Sequence, residues 1–195
     1  MIQTPFAASI TTASAGRVPE LSPAQPVGLR ALIERVEAAV CAPIGELGGH
    51  LASALAAAAA DPDIVPAPLR VAAKDRYARH ILHADAAGRF TIVALVWGAG
   101  QFSPVHAHHT WCAYAVLDGA LTETAYAYDA AAGVAHPLSQ ERMTQGAMRF
   151  EYAGLSGVHK LGNAEDNIGL SLHIYGIDGA RVGSHVNRLV LSANH

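Results

Sequence analysis

The chain of 195 residues is long enough for one domain with a sizeable core, because 51% of its residues are hydrophobic and only 15% are charged. Its net charge of -3 argues against nucleic-acid binding, which needs basic patches. Two widely separated cysteines form no disulfide framework, and no apolar run is long enough for a membrane span. We therefore expect a soluble, cytoplasmic protein that binds neither nucleic acid nor membranes.

The first third of the chain is predicted to be helical. Residues 1–26 are rich in Ser, Thr, Ala and Pro and lack the pattern of a signal peptide, which predicts a flexible arm. Over residues 26–40, apolar residues recur every three to four positions, as in a helix. Further helices are predicted over about residues 44–60 and 69–77. We expect these helices, within residues 26–77, to pack outside the rest of the domain.

Beyond residue 78 the sequence changes to short strands and turns. Residues 80–83 and the apolar run 90–97 predict two strands, with a hairpin turn at 85–88 between them. Similar strands and glycine-containing turns continue to about residue 192. About ten strands after a helical start predict an all-β jelly-roll barrel over about residues 79–192, within a single domain of residues 26–195.

Three histidines are candidate metal ligands. His106 and His108 lie in a predicted strand, where residues i and i+2 face the same side, so their imidazoles project together. His109 points to the other face. His159, far downstream, is the third candidate. Neutral imidazoles suit zinc, iron, copper or nickel. The alternative is that these are histidines of an exposed strand face or of the core.

A second polar cluster lies on one face of another predicted strand. Ser171, His173 and Tyr175 alternate with apolar residues, so a relay of hydroxyl, imidazole and phenol is geometrically natural. The phenol can donate to a metal-bound oxygen or to a substrate carboxylate, while the histidine orients it and moves a proton. The alternative is that these inward polar groups only satisfy one another. Both clusters together indicate the interior of a β-barrel that holds a metal.

The spacing of these residues resembles a known superfamily. The first stretch reads Gly100-x5-His106-x-His108-x3-Cys112-x6-Gly119. It is similar to the first motif of the cupins, most of which have Glu in place of Cys112. A degenerate second motif ends in His159-x3-Asn163. The cysteine, the isolated histidine and the Ser-x-His-x-Tyr strand resemble the thiol dioxygenases, and most closely the type I cysteine dioxygenases, over about residues 70–192.

The resemblance implies a cupin double-stranded β-helix in which His106, His108 and His159 bind Fe(II). Because Cys112 replaces the usual carboxylate, an anionic thiolate substrate would supply negative charge to the metal. Three protein ligands leave room for a bidentate aminothiolate and O2. In some family members a thioether bond joins the cysteine to the tyrosine, so Cys112 and Tyr175 are candidates for this bond. The alternative is that Cys112 is a small buried hydrophobe.

The resemblance also implies a substrate clamp in the segment Tyr77-Ala-Arg79. In the cysteine dioxygenases an arginine at this place binds the substrate carboxylate, for which its planar fork of donors is suited. Tyr77 either contacts the substrate amine or packs. The related 3-mercaptopropionate dioxygenases have Gln here and use an arginine beyond the Ser-His-Tyr strand. Arg181 and Arg188 leave that arrangement open.

The sequence therefore predicts an Fe(II)-dependent dioxygenase of cysteine catabolism that oxidises L-cysteine with O2 to cysteine sulfinic acid. Its partners would be a small thiol and O2, and we expect a monomer or a small homo-oligomer. The alternatives are a dioxygenase of 3-mercaptopropionate or mercaptosuccinate and a non-enzymatic metal-binding cupin. A cupin isomerase or zinc hydrolase is disfavoured, because neither motif contains a carboxylate base.

Overall fold

The computed structural model describes residues 25–193, so the flexible arm predicted for residues 1–26 lies almost entirely outside the described part. Two helices lead into the β region, α1 (Val27–Ala39) and α2 (Leu47–Ala59), close to their predicted positions. Between residues 25 and 193, no helix has the length and apolar composition needed to cross a membrane.

The helix predicted over residues 69–77 is wrong. A single turn of 3-10 helix forms at Ala67–Leu69, and the chain is then irregular up to the first strand. Most side chains of this segment are exposed, with Val71 at 67% exposure, while Ala72 and Tyr77 pack against buried apolar clusters. A helix this short is marginal without an apolar face to bury. From residue 25 onward, the helical extension consequently consists of α1, α2 and this turn.

Up to residue 193, where the described part of the chain ends, eleven strands follow in two sheets. In chain order they are β1 (Ala78–Ala84), β2 (Thr91–Trp97), β3 (His106–His108), β4 (Cys112–Asp118), β5 (Ala120–Asp129), β6 (Val134–Thr144), β7 (Met148–Glu151), β8 (Gly154–Gly162), β9 (Gly169–Tyr175), β10 (Asn187–Leu189) and β11 (Leu191–Ser192). The five-stranded sheet has the order β1-β2-β9-β4-β7, and the six-stranded sheet has the order β10-β3-β8-β5-β6-β11. This arrangement confirms the predicted fold class, an all-β jelly-roll barrel with an N-terminal helical extension.

Strand β9 shows how alternation separates the core from the barrel interior. Successive side chains of a strand point to opposite faces. Leu170, Leu172 and Ile174 belong to a cluster of buried apolar residues with both helices. On the opposite face, Tyr175 packs with apolar residues of β2 and β4 in a second cluster, inside the barrel. All residues of β9 are buried, so its polar side chains are enclosed between the two sheets.

Candidate metal centre

The three candidate ligands meet at one point of the six-stranded sheet. His106 and His108 come from β3 and His159 comes from β8, where His106 and His159 are paired directly across the ladder. Each offers a nitrogen, and these nitrogens lie within 4.8 Å of one another. All three side chains are buried. The structure thus brings together the two strand neighbours and the distant histidine that the sequence suggested.

Hydrogen bonds orient two of the three imidazoles. Nδ1 of His106 lies 2.9 Å from the carbonyl oxygen of Pro104, and Nδ1 of His159 lies 2.7 Å from Oε1 of Glu123. Buried Nε2 of His159 and Nδ1 of His108 have no hydrogen-bond partner within residues 25–193. Buried polar atoms are rarely left without a partner. A metal ion at this point would satisfy such nitrogens, so the residues present fit a metal site.

Burial keeps two of the imidazoles in the form that binds a metal. It lowers the pKa of His106 to about 3, with a further contribution from neighbouring His159, and it lowers the pKa of His108 to about 2. Both imidazoles are therefore neutral at pH 7, with a lone pair free for coordination.

The low pKa values of His106 and His108 predict an acid-labile metal-free protein. Below the ordinary pKa of 6.5, the unfolded chain protonates these residues and the folded chain does not, so the free energy of unfolding falls as the pH falls. Each contributes a slope of up to about 1.4 kcal/mol per pH unit between about pH 6.5 and pH 5. Urea unfolding across this range measures the slope, which should be smaller in His108→Asn. Equal slopes in the variant and the parent would contradict the prediction.

The predicted relay on β9 is continuous. Oγ of Ser171 lies 2.9 Å from Nε2 of His173, and the hydroxyl oxygen of Tyr175 lies 3.2 Å from Nδ1 of the same imidazole. The imidazole also stacks on Tyr114, with ring centroids 5.0 Å apart. Nε1 of Trp97 donates to Oγ of Ser171 over 2.8 Å, a contact that the sequence analysis did not include.

Trp97 determines which group donates and which accepts in each hydrogen bond of this relay. Its indole N–H can only donate, so the Ser171 oxygen accepts from it. Among the described residues, the acceptor for the Ser171 hydroxyl proton is Nε2 of His173. Burial holds the pKa of His173 well below its ordinary value, so the neutral ring carries its proton on Nδ1 and donates it to the Tyr175 oxygen. Burial also raises the pKa of Tyr175, which stays protonated. Its O–H remains free to donate into the cavity.

The predicted clamp residues line the same cavity. Tyr77 and Arg79 border it together with the three histidines, His173 and Tyr175. Nη1 of Arg79 donates to the carbonyl oxygen of Val182 over 3.3 Å, and its buried Nε has no partner within the described range. The Tyr77 ring packs on Trp97, with centroids 4.3 Å apart. The other two candidate arginines, Arg181 and Arg188, are exposed and do not border the cavity.

The two residues of the predicted thioether bond face each other. Cys112 on β4 and Tyr175 on β9 are directly opposed in an antiparallel ladder, and each is 3% exposed. Opposed residues of such a ladder have Cβ atoms about 5 Å apart on the same face. Burial raises the pKa of the Cys112 thiol well above its ordinary value, with the charges of Glu151 and Glu123 acting in the same direction. The sulfur is therefore a protonated thiol beside the phenol ring.

Sequence reasoning missed the carboxylate that contacts this centre. Glu123 on β5 is 9% exposed; its Oε1 accepts from His159 and its Oε2 from Nε of Arg149 over 3.1 Å. Burial alone would raise the pKa of Glu123, but hydrogen bonding from His159 and the charge of Arg149 outweigh it, so the pKa lies below the ordinary value. A charged residue on the same strand face as buried Leu121 is the signal that could have revealed it.

Comparison with known proteins gives one family match and several weak structural similarities. The model of the family described as cysteine dioxygenase type I matches residues 57–178. The TT1209 protein from Thermus thermophilus is 18% identical, with 56% of this chain and 91% of that chain covered and a TM-score of 0.43. A cupin superfamily protein from Desulfitobacterium hafniense is 13% identical, with 60% and 87% covered and a TM-score of 0.43.

Proposed function

The chain belongs to the type I cysteine dioxygenase family, whose model matches residues 57–178, and on this premise we propose that it oxidises L-cysteine with O2 to cysteine sulfinic acid in an Fe(II)-dependent reaction. The observation that carries the proposal is that three histidines able to hold a metal, an arginine and a tyrosine line one cavity. The electrons that sulfur loses are taken up by O2, both atoms of which bond to sulfur.

His106, His108 and His159 are the residues that would hold the metal. Imidazole nitrogens suit iron among the first-row metals, and the unpartnered nitrogens at this point support a bound ion. When bound, Fe(II) supplies coordination positions for the thiolate and for O2 and the electrons that activate O2. Because no carboxylate is among the proposed ligands, a thiolate would be the anionic group that binds the metal directly.

Arg79 would bind the substrate carboxylate. Its buried Nε lacks a partner in the described part of the chain, and a buried guanidinium donor is stabilised by an anion. The aromatic ring of Tyr77 lies 5.9 Å from the guanidinium carbon and itself packs on Trp97, so it supports Arg79 from one side. This contact favours a packing role for Tyr77 over direct contact with the substrate amine.

Tyr175 would donate its free O–H to a substrate oxygen. His173 donates to the phenol oxygen and so fixes its orientation, while Ser171 and Trp97 hold the imidazole in the required tautomer. A donor fixed in advance needs no reorganisation at the moment of reaction. In this proposal the tyrosine is a catalytic residue, and His173 and Ser171 are positioning residues.

Oxygen uptake by the Fe(II)-loaded protein tests the proposal. The thiols to compare are L-cysteine, 3-mercaptopropionate, mercaptosuccinate and cysteamine, with the products identified by mass. We expect stoichiometric O2 uptake and sulfinate formation with L-cysteine, and poor turnover of cysteamine, which has no carboxylate for Arg79. Preference for 3-mercaptopropionate or mercaptosuccinate would overturn L-cysteine as the substrate. No uptake with any thiol by iron-loaded protein would favour a non-enzymatic metal-binding cupin.

We further propose that turnover forms a thioether bond between Cys112 and Tyr175. The Sγ–H and a ring C–H are lost, an S–C bond forms, and O2 takes up the hydrogen atoms and electrons. The direct opposition of the two residues on β4 and β9 supports this. Intact mass after turnover should fall by two hydrogens in the parent protein and should not change in Cys112→Ser or in Tyr175→Phe. An unchanged parent mass after many turnovers would rule the bond out.

A further inference from the structure

We propose that Glu123 is a positioning residue that orients His159 and adds negative charge to the metal site. Oε1 of this buried carboxylate lies 2.7 Å from Nδ1 of His159. An ionised carboxylate only accepts, so Nδ1 carries a proton, and a metal at this point would take the lone pair of Nε2. That Nε2 is the buried nitrogen without a partner among residues 25–193. The inference rests on the proposed function, since it needs a metal at this point.

The three candidate ligands differ in the groups that contact their Nδ1 atoms. His106 faces the neutral carbonyl oxygen of Pro104, and Nδ1 of His108 has no partner in the described range. Within residues 25–193, His159 is the one candidate ligand whose ring contacts a charged side chain. A carboxylate that accepts a hydrogen bond from the other ring nitrogen makes a ligating imidazole more basic and fixes the orientation of its ring. The three-histidine set is therefore electrostatically asymmetric, with its strongest donor on β8.

An ion-pair network holds the carboxylate in place. Arg149 on β7 donates to Oε2 of Glu123 over 3.1 Å and also pairs with Glu141 on β6. Glu123 lies on β5 of the six-stranded sheet and Arg149 on the five-stranded sheet, so this ion pair joins the two sheets of the barrel. Both carboxylate oxygens of Glu123 therefore accept hydrogen bonds, one from His159 and one from Arg149. These hydrogen bonds stabilise the buried negative charge beside the site.

This arrangement has a consequence for the chemistry of the site. The cupin position for a ligating carboxylate is occupied by Cys112, yet a carboxylate contributes charge from behind His159. A ligating carboxylate would occupy a coordination position, whereas Glu123 leaves that position free for substrate. The protein thus supplies negative charge without giving up a place for the thiolate, the amine or O2.

Glu123→Gln tests this inference, because glutamine keeps the size and an acceptor oxygen but removes the charge. Glu141→Gln is the matched control, since Glu141 also pairs with Arg149 but does not touch His159. Co(II) titration, followed by its visible absorption, measures metal binding without turnover. We expect Glu123→Gln to weaken Co(II) binding about 10- to 100-fold and Glu141→Gln to leave it within about twofold. With iron bound, Glu123→Gln should also raise the midpoint potential, because less negative charge favours Fe(II).

Equal Co(II) affinity and equal potential in Glu123→Gln and the parent would overturn the inference. If the variant does not fold, NMR of the Zn(II)-loaded parent decides: a slowly exchanging, downfield Nδ1 proton on His159 is expected, and its absence would overturn the role of Glu123. A parent protein that binds no Co(II) would instead overturn the proposed metal site itself. Failure of the proposed function is thus distinguished from failure of this inference.

Discussion

Replacing His108 by asparagine should abolish both iron binding and thiol-dependent O2 uptake, whereas replacing the adjacent His109 should change neither. His108 is buried with the other two candidate ligands, and its loss would leave a metal with two protein ligands. Even the outer partners of metal ligands are worth about 10- to 100-fold in affinity, so loss of a ligand should weaken binding by more than about 100-fold. Asparagine keeps a polar group at the site without the imidazole nitrogens.

His109→Asn is the matched control because it changes the same residue type one position along the chain. His109 is exposed and lies outside the three-histidine group. The measurement is the iron content of each protein after loading and gel filtration, followed by O2 uptake with L-cysteine. Stoichiometric iron in His108→Asn, or an equal loss in His109→Asn, would contradict the assignment of the metal ligands.

Replacing Arg79 by methionine should lower kcat/KM for L-cysteine about 100-fold while leaving the iron content unchanged. Hydrogen bonds to charged groups contribute about 1.5–3 kcal/mol, and about 1.4 kcal/mol corresponds to a tenfold change. Methionine keeps much of the apolar stem that packs near Tyr77 but removes the fork of donors. The expected loss is therefore one of carboxylate recognition.

Two controls separate this effect from a general disturbance. Arg181→Met removes an exposed arginine that does not border the cavity, and it should leave kcat/KM unchanged. Residual turnover of cysteamine, which has no carboxylate, should be the same in Arg79→Met and in the parent. A larger loss in Arg181→Met than in Arg79→Met would show that the carboxylate is bound elsewhere. A proportional loss with cysteamine would show that Arg79 acts on the fold of the site.

Much of the candidate site follows from the period of a β-strand. His106 and His108 share a face because they are two residues apart, and the same spacing groups Ser171, His173 and Tyr175. These predictions needed only the strand assignment, since alternation then determines to which face of the sheet each side chain points. His159 required more, because spacing along the chain does not say that β8 lies beside β3. Its inclusion depended on the resemblance to the cupins.

The parts that sequence could not supply depend on pairing between distant strands. Glu123 reaches His159 because β5 lies beside β8, and Arg149 reaches Glu123 from the other sheet. Nothing in the local pattern of β5 ties its glutamate to a histidine far downstream. The helix predicted over residues 69–77 does not form, for a similar reason. A short helix depends on burial against the rest of the fold, and the local sequence did not reveal whether that burial would occur.

The two sheets contribute different halves of the proposed site. The candidate metal ligands come from β3 and β8 of the six-stranded sheet, while Arg79, His173 and Tyr175 come from β1 and β9 of the five-stranded sheet. In the proposed reaction, the substrate would therefore lie between the sheets, with its thiolate on one side and its carboxylate on the other. The rigid barrel would hold these ends at a fixed separation, which selects for the length of the thiol acid.

The most direct test of the central claim is turnover of L-cysteine under isotopically labelled O2 in unlabelled water, with the product analysed by mass spectrometry. The proposed dioxygenase reaction predicts that both oxygen atoms of cysteine sulfinic acid carry the label. A sulfinate with label in one oxygen or in neither, or cystine as the sole product, would contradict it.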